Sequence, residues 1–155
     1  MSYGVLVERF GVFVRERHEP GPTAAEPQRP FPDSLQAERE IIAHHLIPLV
    51  LLSRADGDYA ESEQRVIVDH CLSLLERIGV RASSADRSTL EKYVSTYRPT
   101  LVQLDPALKR LERETAEALA AFLCAARNVV DADGQIDAAE IKLLDDLRAL
   151  INGGA

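Results

Sequence analysis

The chain has no tryptophan, and aromatic residues make up 5% of its 155 positions. Sandwiches and barrels draw on aromatic and β-branched residues, so this scarcity disfavours an all-β fold. Cysteine is also sparse, with Cys71 and Cys124 alone. Their separation matches no zinc spacing and no redox pair. Each falls in an apolar helical pattern, so both are expected as buried free thiols. Basic residues are outnumbered, 18 Lys and Arg against 25 Asp and Glu, for a formal charge of -7. That speaks against nucleic acid as a partner, because neutralising phosphates needs a basic field. Cations and a protein partner with a basic surface remain compatible.

Long hydrophobic runs are missing too. The longest, LIPLVLL from Leu46 to Leu52, falls well short of the roughly 18 residues of a membrane-span candidate. No signal-peptide pattern appears, since Glu8 and Arg9 interrupt the apolar start and no small-residue cleavage site follows. A cytoplasmic protein is expected. The sequence carries no HExxH, no GxSxG and no phosphate-binding glycine loop. Ser53, Ser62 and Ser73 have no histidine predicted beside them. A non-enzyme is the expectation.

What the chain does have is leucine and alanine, within a composition that is 46% hydrophobic. That mix favours helices, and the length suits a single core. The expected class is all-α: a compact helical bundle built from two pseudo-twofold-related helical hairpins. Residues 1–33 form an N-terminal segment and proline-rich arm, and residues 34–155 the helical domain. The first 18 residues support two readings. Leu6, Phe10, Phe13 and Arg17 follow a helical stripe, with Gly11 as a defect in it, while Val5 and Val7, then Val12 and Val14, alternate like two short strands. A helix is the expectation, because a lone hairpin is marginal. EPGPTAAEPQRPFPD, residues 19–33, carries five prolines and reads as an extended arm, with Phe31 placed to dock on the core.

A helix is expected from about Ser34 to Ala55, kinked or broken at Pro48, which removes the bond to the His44 carbonyl. His44 and His45 face different directions and lack a ligand-like partner three or four residues away. Partly exposed or hydrogen-bonded histidines are expected there. A second helix follows, capped by Asp58 with Glu61 in capping-box register. Its stripe is Ile67, Cys71, Leu74 and Ile78, widened by Val68, Leu72 and Leu75, and Gly79 closes it in a left-handed cap. Ser88 and Glu91 mark a short third helix that stops before Pro99. Asp105 and Pro106 mark the start of a long fourth pattern, with a break near Arg113. Its seam is Leu108, Leu111, Thr115, Leu119, Phe122 and Ala126. The last helix runs from Ala138 to about Ile151, capped by Asp137 and Glu140.

Two stretches repeat. LSRADGDYAESE, Leu52 to Glu63, lies over NVVDADGQIDAAE, Asn128 to Glu140. Asp56 falls on Asp133, Gly57 on Gly134 and Glu63 on Glu140, at a constant offset of 77 residues. The unit is helix, acidic turn, helix, and two such hairpins can bury each other's apolar stripes. Helix capping accounts for every repeated residue: aspartate accepts from free amides, glycine turns the chain, and glutamate sits at the positive helix end. A metal account competes with it. Asp131, Asp133, Asp137 and Glu140 follow the last ten positions of a calcium loop of the EF-hand kind, but Val129 stands where the first ligand belongs. In the first copy Leu52 and Arg54 occupy ligand positions. If the turns converge, Asp56, Asp58 and Glu63 would face Asp133, Asp137 and Glu140, and a divalent ion would relieve the repulsion.

The paired ADG turns, each followed by a helix-start glutamate, resemble the tellurite-resistance TerB-like family, which includes the N-terminal region of the DjlA co-chaperone. The resemblance covers about residues 36–151. It implies an all-helical fold of two related hairpins and a metal proposed to bind the acidic residues. On this chain those are Asp56, Asp58, Glu63, Asp131, Asp133, Asp137 and Glu140. The implied role is a non-catalytic module holding a divalent cation, calcium or magnesium, linked to tellurite or stress response. Gln135 stands opposite Asp58 and Ala60 opposite Asp137, so the copies are not equally acidic. The alternative is a metal-free protein-interaction domain whose acidic turns are helix caps.

Overall fold

The computed structural model describes residues 11–12, 14–15, 27–55 and 61–132, with the side chains of residues 55 and 130–132 excepted. The described chain is all-α, with no strand among the described residues. A 3₁₀ turn, Asp33–Glu38, leads into α1, Arg39–Ala55. Then come α2, Glu61–Arg77, and α3, Ser84–Thr96. α4, Leu101–Glu112, and α5, Ala116–Ala132, complete the described helices. The first hairpin of the repeat is thus α1 and α2. The second helix of the other hairpin, expected at 138–151, lies outside the described residues.

α1 is the central helix and packs against α2, α4 and α5. Its sequence explains the position. Every residue from His45 to Ser53 is buried, and a helix apolar on all sides belongs inside a bundle. Pro48 neither breaks it nor ends it, so of the kinked or broken helix expected there the broken form is corrected: α1 is one helix with the proline inside. Neighbours on three sides hold it where the helix's own ladder lacks a bond.

α2 ends as expected. Gly79 has φ 82°, its N–H donates to the Glu76 carbonyl at 3.1 Å, and Val80 N–H donates to the Leu75 carbonyl at 2.9 Å. These are the paired bonds of a Schellman cap. Ile67, Cys71, Leu74, Val68 and Leu75 are buried, but Ile78 lies past the helix end and is 45% exposed.

Two helix starts differ from the sequence reading. α3 begins at Ser84, not after Ser88. Ser83 accepts from Asp86 N–H at 3.1 Å and its own N–H donates to Asp86 Oδ2 at 3.0 Å, a capping box with aspartate in the glutamate role. α4 begins at Leu101, a turn before Asp105. Thr100 N–H donates to Gln103 Oε1 at 2.8 Å, which satisfies an orphan donor. Pro106 then falls inside the helix, on its exposed face. The carbonyl it cannot bond belongs to Val102, itself exposed and open to water. The break near Arg113 is present: α4 caps there and α5 starts three residues on.

The arm docks where Phe31 reaches the core. Phe31 is buried and meets the Tyr93 ring edge-on at 5.1 Å. Gln28 Nε2 donates to the Tyr93 carbonyl at 3.2 Å and to Thr96 Oγ1 at 3.0 Å, and Arg29 N–H donates to the same hydroxyl. Residues 11–12 and 14–15 are helical. A Cβ on Gly11 would lie 2.9 Å from Leu108 Cδ1, so the apparent defect in the stripe is a close approach to α4. The remaining stripe residues, Leu6, Phe10, Phe13 and Arg17, lie outside the described residues.

Candidate functional site

A fully buried helix must find partners for its polar side chains, because an unpaired buried polar group costs about 1–3 kcal/mol. Between His45 and Ser53, α1 carries just those two polar side chains. Each meets a glutamate from another element.

The first pairing joins the end of α1 to the start of α2. Ser53 Oγ donates to Glu63 Oε2 at 2.8 Å, from the last turn of α1 to the first turn of α2. Both residues are fully buried. The glutamate stands in the first turn of the helix as expected, with its carboxylate turned inward. The repeat does not duplicate this contact, since the same offset places Val130 opposite Ser53. Of the other expected ligands, Asp131 is helical at the end of α5, its side chain outside the description. Asp56, Asp58, Asp133, Asp137 and Glu140 lie outside the described residues. Among the described residues no three His, Cys, Asp or Glu side chains come together as a metal cluster.

The second pairing was not anticipated. His45 Nε2 lies 3.0 Å from Glu114 Oε1 and 2.9 Å from Oε2, and His45 Nδ1 lies 2.9 Å from His70 Nε2. Phe122, fully buried, covers both rings, with centroids 5.8 Å from His45 and 6.4 Å from His70. Three helices and a junction thus supply one array: His45 from α1, His70 from α2, Glu114 between α4 and α5, and Phe122 from α5. Burial pushes the His70 pKa down to about 3, with His45 and Arg77 adding to the effect. His44, half-buried beside Arg110, is also shifted down, chiefly by burial.

His70 opens onto a groove of about 460 Å³ between α2 and α5. Asp69, Ser73 and Arg77 line one wall, and Glu117, Cys124 and Asn128 the other. Cys124 is exposed, which corrects the expectation of a buried thiol. It lies on the solvent side of α5, two residues from the buried Phe122, so a run of apolar neighbours misled the reading. Cys71 is buried as expected, and burial lifts its thiol to about 12. Since the thiolate is the reactive form, iodoacetamide is expected to modify Cys124 in the folded chain and leave Cys71 untouched. Peptide mapping after mild alkylation checks this, and comparable labelling of both thiols would contradict it.

The signal for the histidine array was present in the sequence. His45 sits inside an apolar run, and its burial demanded a partner. What the sequence could not give was the partner, because Glu114 is 69 residues away. No family model, curated protein or solved structure matches the chain. The TerB-like resemblance therefore rests on the two acidic turns and their fixed offset.

Proposed function

We propose that the chain is a non-catalytic binding module whose acidic inter-helix turns hold a divalent cation, calcium or magnesium. The TerB-like resemblance adds a link to tellurite or stress response, and the net negative charge suits a protein partner with a basic surface. The supporting observation is Glu63. Its carboxylate is fully buried in the first turn of α2. Carboxylate oxygens are the hard donors that calcium and magnesium take.

The Ser53 hydroxyl favours a second reading, a metal-free interaction domain in which Glu63 braces the hairpin. Glu63→Gln separates the two, because glutamine can still accept from Ser53 while the charge is gone. If the turns hold a cation, calcium raises the wild-type Tm with concentration, by the equivalent of about 2.7 kcal/mol at a hundredfold excess over Kd. The response is lost in Glu63→Gln. If Glu63 is a brace, wild type ignores calcium and Glu63→Gln is as stable or more so.

A further inference from the structure

With Glu114 ionised and His45 neutral, the hydrogen-bonded order of the array sets one pair of tautomers. An ionised Glu114 can only accept, so His45 donates through Nε2. A neutral His45 then accepts at Nδ1, and His70 must donate through Nε2. That leaves His70 Nδ1 as a bare acceptor. It has no hydrogen-bond partner among the described residues, and its ring lines the α2–α5 groove.

We infer that Glu114, His45 and His70 form a proton-coupled switch: a proton entering from the groove is stored on His45 beside Glu114, and His70 turns from acceptor to donor. The step balances without moving either ring. A bond forms between the incoming proton and His70 Nδ1. The His70 Nε2–H bond breaks, and that proton crosses 2.9 Å to His45 Nδ1. His70 ends neutral in its other tautomer. His45 ends as an imidazolium within 3.0 Å of the Glu114 carboxylate. The charge thus comes to rest at the carboxylate end of the array, while the groove sees a new N–H.

The surroundings fit this direction of travel. At the groove end, Arg77 from α2 opposes a charge on His70, and Asp69 and Glu117 line the walls with the Cys124 thiol. At the other end Glu114 faces His45, with His44 and Glu40 of α1 and Arg110 of α4 close by. A second proton on His70 would put two imidazolium rings in contact in the core, so the array is built to take one. A groove ligand offering a carbonyl or carboxylate oxygen would bind the acid form better. One offering N–H or O–H would bind the neutral form better.

Imidazole nitrogen NMR of the full chain across a pH series tests this without a variant. The expected result is Nε2–H on both rings at the alkaline end. On acidification His45 becomes doubly protonated in the same step that moves the proton of a still neutral His70 to Nδ1. His70 keeping its Nε2–H tautomer, or turning into an imidazolium in that step, would overturn the proposal. Glu114→Gln should lower the pH of the inversion by about one unit or more, the scale of a close opposite charge. An inversion pH unmoved in a folded Glu114→Gln or Glu114→Ala chain would also overturn it.

Discussion

Acidification is expected to unfold the protein steeply, and His70 is the main reason. In the unfolded chain its imidazole takes a proton near the ordinary value of 6.5, whereas in the fold it resists protonation to about 3. Between those limits the unfolded state binds more protons, so stability falls as pH falls. The contribution is complete above 6.5 and drains at about 1.4 kcal/mol per pH unit below it. Two units would remove roughly 3 kcal/mol from a total that for most domains is about 5–15 kcal/mol. Urea midpoints measured over a pH series check this. His70→Gln, which keeps a donor for His45 but cannot titrate there, should flatten the profile. Equal slopes in wild type and variant would show that burial of His70 is not what makes the fold acid-sensitive.

Phe122→Ala should be the most damaging single change in the core, at about 3–5 kcal/mol. The ring is fully buried and lies against both members of the histidine pair. Its loss removes packing and also opens the array to water. Hydration would relieve the desolvation that holds His70 down. Its pKa should therefore climb back towards 6.5, and the acid sensitivity should shrink with the stability. Denaturant unfolding gives the first quantity and histidine NMR titration the second. Phe122→Leu, which refills much of the cavity, should restore part of both. A large stability loss with no change at His70 would mean that Phe122 packs the core without shielding the pair.

Much of the fold was legible because helical signals are local. The stripes of α2 and α5, apart from Ile78 and Thr115, which lie exposed, the glycine cap at Gly79 and the break near Arg113 follow from residues close together in sequence. The start of α3 was misplaced because RASSADRS offers three serines, and the choice fell to Asp86, which reaches back to Ser83 and is also bonded by Ser34. The start of α4 was misplaced because proline is usually a first-turn residue, yet Pro106 is tolerated on a wet helix face. The buried pairings were less legible. The burial of His45 and Ser53 can be argued from the apolar run around them. That Glu63 turns inward to one and Glu114 to the other depends on how helices meet, which no local spacing encodes. Glu63 stands out in the sequence by its place in a repeat, and in the fold it makes a buried contact to Ser53 that the repeat does not share.

The proposed cation site requires the two acidic turns to act as one. The most direct measurement is a calcium titration followed by amide NMR, reading residues of the first turn, 56–63, and of the second, 131–140, in the same experiment. The account predicts saturable shifts in both turns with a single common midpoint, abolished when Asp133→Asn and Glu140→Gln are combined. Turns that stay unmoved at saturating calcium, or that respond with separate midpoints, would contradict a shared cation and leave two helix caps.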